Sequence, residues 1–208
     1  MNKLRSLVFY RQHFKEFYAD LHEKVKDKVD LGLYHLQYTR QIPNKFIGST
    51  KDKNLFYLRI KHASNIYRIF FCYDEGKLVI IFNGFQKKTQ KTPKTQIERA
   101  LRIKKQYPMK KNKNLTTFEE HLTKQYGKIG SKKRDDFEVR AKAFVIGELL
   151  KEERKQAKMT QEQLASKIGA KKSYISRVEN GKTDIQLSTL YRLFEVGLGK
   201  SITISVNE

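Results

Sequence analysis

The sequence is poor in cysteine. Its one thiol, Cys72, excludes an intrachain disulfide framework and, lying in an apolar strand-like run, reads as a core residue. No apolar run is long enough to span a bilayer and no basic amphipathic anchor stands out, so a membrane is not an expected partner. The opening Met1-Asn2-Lys3-Leu4 lacks the apolar run of a signal peptide, and the expected setting is cytoplasmic. Five histidines and one cysteine show no ligand spacing, so neither a metal nor another cofactor is expected. No internal repeat is visible.

Acids are the second deficit. Only 22 Asp and Glu stand against 44 Lys and Arg, a formal charge of +22. Such an excess destabilises a compact chain by self-repulsion unless a polyanion offsets it, and the usual polyanion is nucleic acid. Bulky apolar material is plentiful by contrast. With 13 Phe, 11 Tyr and 38% hydrophobic residues, domains of about 100 residues can each bury a core. A seam falls between Tyr107 and Asn114, where Pro108 ends a helix-like stretch and a polar, charged run follows. Met109-Lys110-Lys111-Asn112 repeats the style of the opening Met1-Asn2-Lys3, as two joined coding segments would. Residues 1–108 carry a formal +14 and residues 109–208 carry +8. The expected divisions are 1–108, a connecting segment 109–143, and 144–208.

In the second half, Phe144 to Lys158 reads as a helix with Phe144, Ile146, Leu149 and Leu150 on its apolar side. Thr160 is a good N-cap for the next helix, and Gln163 completes a capping box. That short helix buries Leu164, Ala165 and Ile168. Gly169 supplies a turn that needs positive φ. A third helix runs from about Lys172 to Glu179, with Ile175 and Val178 inward, and Asn180-Gly181 stops it. A fourth, Gln186 to Val196, closes the core with Leu187, Leu190, Leu193 and Phe194. Ile202, Ile204 and Val206 then alternate as a terminal strand would. Two short helices joined by a glycine turn, the second carrying small polar and basic residues, suit the DNA major groove.

The run Met159-Thr160-Gln161-Glu162-Gln163-Leu164-Ala165-Ser166-Lys167-Ile168-Gly169, followed by Ser173-Tyr174-Ile175-Ser176-Arg177-Val178-Glu179-Asn180-Gly181, resembles the Cro/repressor (XRE) helix-turn-helix family. The resemblance implies operator DNA as a partner. It places Gln161 on a phosphate, Lys172 and Ser173 on base edges, and Ser176 and Arg177 on bases or phosphates. Lys171 stands where the family usually has a Ser or Thr cap and is expected to add a phosphate contact. Arg154 and Glu179 are expected to form a structural ion pair. The terminal strand, paired across a two-fold axis, would give a homodimer on two half-sites.

The first half reads as a small basic α+β domain. Leu4 to Tyr10 is a strand candidate. Arg11 to Arg40 is mostly helical, with a break expected at Asp30 to Gly32. Strands follow at 55–61, 66–73 and 77–83, with Asp74-Glu75-Gly76 as the tight turn between the last two, and Pro93 opens a closing helix to about Gln106. Alternation puts Tyr57, Arg59 and Lys61 on one face and Phe56, Leu58 and Ile60 in the core. Arg68 lies inside an otherwise apolar strand, which calls for a partner or a functional face. After the third strand come Lys87, Lys88 and Lys91 beside Phe85. Two arginines beside a lysine-rich loop form a floor for phosphate, on which Phe85 or Tyr57 could stack a base. Cleavage of RNA through its 2′-hydroxyl needs such cations and also a proton acceptor and donor.

The segments Leu55-Phe56-Tyr57-Leu58-Arg59-Ile60, Tyr67-Arg68-Ile69-Phe70 and Asn83-Gly84-Phe85-Gln86-Lys87-Lys88-Thr89-Gln90-Lys91-Thr92-Pro93 resemble the RelE/ParE superfamily, in its HigB-type branch. The resemblance implies a metal-independent mRNA endoribonuclease toxin acting at the ribosome. It gives catalytic duty to Arg59, Arg68, Lys87 and Lys88 and RNA contact to Tyr57, Lys61, Phe85 and Lys91. The late catalytic Tyr or His of some relatives is missing. The closing segment offers only Tyr107, and His62 and Tyr73 are the nearest substitutes.

The fold class expected is therefore two domains: an α+β RelE-like fold, with N-terminal helices on a small antiparallel sheet, then an all-α helix-turn-helix domain with a C-terminal strand. A HigB-like toxin followed by a HigA-like antitoxin is the gene order of a toxin–antitoxin module, in which the second half would neutralise the first and repress its own operon. Leu115 to Val139 is the expected toxin-contacting segment, with Glu119, Glu120, Asp135, Asp136 and Glu138 available to the basic floor. A second reading is a purely regulatory helix-turn-helix protein whose first half has lost its chemistry and serves for docking.

Overall fold

The computed structural model describes residues 3–40, 42–52, 54–74, 78–88, 93–107 and 114–204. The expected turn at Glu75-Gly76, Lys91 and the 108–113 part of the seam lie outside these. The chain forms two compact units, Met1–Arg134 and Asp135–Glu208. The division thus falls beyond the seam, because the residues just after it complete the first unit.

In the first unit, β1 (Ser6–Tyr10) leads into α1 (His13–Ala19) and α2 (Glu23–Tyr38). Strands β2 (Ile47–Ser49), β3 (Phe56–His62), β4 (Asn65–Tyr73) and β5 (Leu78–Lys87) follow. Helix α3 (Lys94–Gln106), β6 (Leu115–Thr117) and α4 (Phe118–Tyr126) complete it. The strands form one six-stranded sheet in the order β2-β3-β4-β5-β1-β6. Strand β1 runs parallel to β5 and antiparallel to β6, while β2 to β5 run antiparallel to one another. A parallel pair needs a long crossover, and the chain between β1 and β5 supplies it.

Period-two alternation sorts the two faces. Leu7, Phe9, Leu58, Ile60, Ile69, Phe71, Val79 and Ile81 are buried on the face that α1 and α2 cover. Phe9 stacks on Phe14 of α1 at 4.5 Å between ring centroids. Val8, Tyr10, Phe70, Cys72, Ile80, Phe82 and Phe85 pack on the other face with Ala100 and Ile103 of α3. Burial pushes the Cys72 thiol up to about 11, which suits an inert core residue.

The helical break does not fall at Asp30 to Gly32. It falls at Asp20 to His22, and α2 runs unbroken through both residues. Asp30 is fully buried and hydrogen-bonded by Tyr18 Oη at 2.6 Å. Gly32 serves close packing instead: a Cβ there would stand 2.5 Å from Ile60 Cδ1. Tertiary contact overrides the weak helix propensity of both residues.

In the second unit most of α5 (Lys132–Gln156) is followed by α6 (Gln161–Lys167), α7 (Lys172–Glu179), α8 (Leu187–Tyr191) and a π-helical turn, Arg192–Gly197. Leu150, Leu164, Ala165, Ile168, Ile175, Val178, Leu193 and Phe194 form the core. Leu149, expected inward, is exposed; Val145, Gly147 and Leu150 take the inner side of α5. Leu187 is exposed as well. Residues 201–204 form no strand, and Ser205 to Glu208 lie outside the described residues.

Candidate nucleic-acid interfaces

The first candidate site lies on the α3 side of the sheet, at the end that α3 leaves open. Register places Arg59 of β3 directly opposite Arg68 of β4, Lys61 opposite Ile66, and Lys87 of β5 opposite Ile66 from the other side. Residues opposite one another share a face, so Tyr57, Arg59, Lys61, Arg68 and Lys87 make one basic stripe. Like charges directly opposite across strands are destabilising. The aromatic ring of Tyr57 lies beneath both: the Arg68 guanidinium stands 4.3 Å from its centroid and that of Arg59 5.7 Å. Arg59 Nη1 also donates to the Lys45 carbonyl at 3.1 Å. Gly48 makes room for this ring, since a Cβ there would come within 2.2 Å of Tyr57 Cζ.

Arg68 is buried and its Nε has no hydrogen-bond partner. Burial lowers its pKa from the ordinary value; Tyr57 opposes the shift and Arg59 adds to it. An arginine stays protonated through such a shift, so the stripe holds a charge with no counter-charge among the described residues. No acid pairs with Arg59 or Arg68 among the described residues. Lys61 and Lys88 are exposed and Lys87 half-buried at the strand end.

Three expectations for this site change. Phe85 is no free stacking platform: it is buried and stacked on Phe70 at 5.7 Å. Its ring closes the core beside Arg68, so Tyr57 is the aromatic left at the stripe. His62 and Tyr73 lie on the opposite face by parity, with Tyr73 ringed by Phe56 and Phe71. Tyr107 donates its hydroxyl to Asp74 at 2.9 Å and packs edge-on against Tyr10. None of the three substitutes stands beside the arginines. Two of the acids expected to meet the basic floor are engaged elsewhere. Glu119 pairs with Arg134 at 2.9 Å, and Glu120 completes the capping box of α4 with Thr117.

The second candidate site is the outer face of α7. Thr160 caps α6 through a complete capping box with Gln163, and Gly169 makes the turn at φ +65°. Ile175 and Val178 are buried, which turns Lys172, Ser173 and Arg177 to solvent, with Ser176 half-buried. Lys171 is the N-cap residue and its side chain makes no cap bond. Lys172 approaches Glu162 at 3.9 Å with both groups largely exposed, a contact worth little. Arg154 holds the fully buried Glu179 through Nε at 2.5 Å and Nη2 at 2.9 Å. Gln161 Nε2 donates to the same carboxylate at 2.8 Å, which orients the carboxamide and leaves its second N–H for another acceptor. The sequence signal missed that third ligand of Glu179.

No described helix is long and apolar enough to cross a membrane. A search among curated proteins finds no match. Residues 14–105 match the family model of phage derived protein Gp49-like (DUF891). Residues 150–197 match a helix-turn-helix family model. The first match covers α1 through most of α3 and so contains the basic stripe; the second runs from the end of α5 through the π-helical turn. The two matched segments are thus similar to a Gp49-like domain and to a helix-turn-helix domain, joined in that order.

Proposed function

We propose that the first unit is an RNA-cleaving toxin of HigB type and that the second unit is its antitoxin and operator-binding repressor. The observation that carries the first part is the Arg59–Arg68 pair, opposed across two strands, seated on Tyr57 and lacking an acidic partner among the described residues. A fold tolerates such a pair poorly unless an anion completes it. The phosphate of RNA supplies that anion, and the two guanidinium groups then stabilise the added charge of the transition state. Lys61, Lys87 and Lys88 extend the track for the RNA backbone, and the ribosome is the expected place of action. Beside the arginines, the Tyr57 hydroxyl and the Lys61 and Lys87 ammonium groups are the candidates for proton exchange. In the second unit Lys172, Ser173, Ser176 and Arg177 read operator DNA while Lys171 holds a phosphate, and two copies bind as a dimer.

Inducing residues 1–108 in cells tests the toxin reading. Growth arrest with cleaved mRNA, abolished by Arg68→Ala, is the expected result. Harmless accumulation of the folded fragment would instead favour a regulatory protein whose first half only docks. The observation that favours that second reading is the placement of Tyr107, His62 and Tyr73, all of which stand away from the arginines.

A further inference from the structure

The strand and helix just beyond the seam are built into the first unit. Strand β6 pairs with β1 through Thr117 opposite Val8 and Leu115 opposite Tyr10. Helix α4 lies against the face opposite the basic stripe. Phe118 meets Phe9 edge-on at 6.3 Å, and the His121 ring lies 5.3 Å from Phe9, 5.9 Å from Phe14 and 4.7 Å from Tyr18.

At the centre of this contact is Asp30 of α2, with no exposed surface. Its carboxylate receives three groups. Tyr18 donates to Oδ2 at 2.6 Å from within the Gp49-like part. Tyr126 donates to the same oxygen at 2.8 Å, and His121 Nε2 meets Oδ1 at 2.8 Å. Both of these come from α4. A buried carboxylate with one phenol for company is costly, whereas three partners satisfy it. The Gp49-like part therefore carries half of a polar socket, and the other half arrives after the seam.

We propose that the Asp30 socket is the recognition surface by which the first half binds the second. The partner it fits is a short edge strand running into a capped helix. That helix must present an apolar ring at its start and a His and Tyr five residues apart, here Phe118, His121 and Tyr126. Strand pairing to β1 is sequence-tolerant, and the aromatic ring supplies area. The socket supplies specificity, since a helix lacking the His–Tyr pair strands the carboxylate. The inference rests on the reading of the two halves as toxin and antitoxin, but it concerns their attachment rather than their activities.

The test uses the full chain with a protease site introduced between Tyr107 and Asn114. After cleavage the two fragments are expected to co-elute at micromolar concentration. His121→Ala should weaken their association by more than about 100-fold, because it leaves a buried charge short of its partner. Tyr126→Phe should weaken it about tenfold. Lys124→Ala, on the same helix, should change nothing. Asp30→Asn added to His121→Ala should recover at least about tenfold, since no charge is then stranded; a mere packing defect would not recover. Far-UV circular dichroism of each uncut chain reads folding separately. Separation of the unmutated fragments, unchanged association in His121→Ala, or no recovery in the double variant would overturn the proposal. Association is read without RNA, so a first half that cleaves nothing would sink the toxin reading and leave this one standing.

Discussion

Glu179 of α7 is held by Arg154 of α5 through two guanidinium nitrogens, with Glu179 fully buried and Arg154 nearly so. The pair fixes α7 on the scaffold, and Gln161 at the start of α6 donates to the same carboxylate. Removing one member of a buried pair leaves the other uncompensated, at a cost of about 3 to 5 kcal/mol. Glu179→Ala should therefore melt the second unit well below the temperature of the unmutated chain in a thermal scan. A double variant with Arg154→Met should recover much of the loss. Failure to recover would place the defect in packing rather than in stranded charge.

Gly147 of α5 faces the end of α7, and a Cβ there would stand 2.4 Å from the Val178 carbonyl oxygen. Alanine is the better helix former by roughly 1 kcal/mol. Here the obstructing atom is backbone and cannot swing aside, and overpacking costs about 1 to 3 kcal/mol. Gly147→Ala should lower the denaturant midpoint of the second unit. A rise would mean that α5 and α7 separate freely.

These elements differ in how far the sequence disclosed them. The helix-turn-helix was legible because Thr160, Gln163, Gly169 and Gly181 are local signals with local causes. The basic stripe was legible from period two: Tyr57, Arg59 and Lys61 had to share a face. The Arg59–Arg68 register depends on pairing across strands, which no local pattern encodes. Asp30 and Gly32 misled for the same reason, since both weaken a helix in isolation and are retained by contacts with Tyr18, His121 and Ile60. Strand β6 is three residues, Leu115–Thr117, too short to alternate visibly, so its place beside β1 could not be read. Phe85 sits among lysines in the sequence, yet its strand turns it inward onto Phe70.

His35 gives the first unit a pH dependence. It is buried, and burial first, then Lys45 and Arg5, lowers its pKa from 6.5 to about 4. The folded state therefore refuses a proton that the unfolded chain accepts. Stability is full above pH 6.5 and falls as pH drops toward 4, by about 3 kcal/mol over the window. Urea midpoints at pH 7.5 and 4.5 check this. His35→Gln should flatten the difference between them even if it lowers both, and an unchanged difference would assign the acid lability to other groups.

On operator DNA, the residues of α7 should separate into two kinds. Arg177→Ala should weaken specific binding by roughly 1 to 3 kcal/mol and relax preference at the base it meets. Lys171→Ala should weaken binding to all sequences alike and reduce the slope of log K against log salt by about one. Salt titrations on specific and random duplexes distinguish the two behaviours. Equal effects on both duplexes from Arg177→Ala would move that residue to the phosphate backbone.

Arg68 should show opposite effects on stability and activity. It sits buried in a strand, opposite a second arginine, with an unpartnered Nε. Methionine fills the space of the arginine stem out to Nε, removes the like-charge opposition and leaves no unsatisfied donor. The relief of one unpaired buried group is worth about 1 to 3 kcal/mol, offset in part by the lost contact with Tyr57. Arg68→Met should therefore raise the melting temperature of the chain by a few degrees while abolishing RNA cleavage by the first half. A residue kept only for the fold would behave the other way, with methionine lowering the melting temperature and cleavage surviving wherever the protein stays folded. Measuring both quantities on one preparation decides between an arginine held for phosphate and an arginine held for structure.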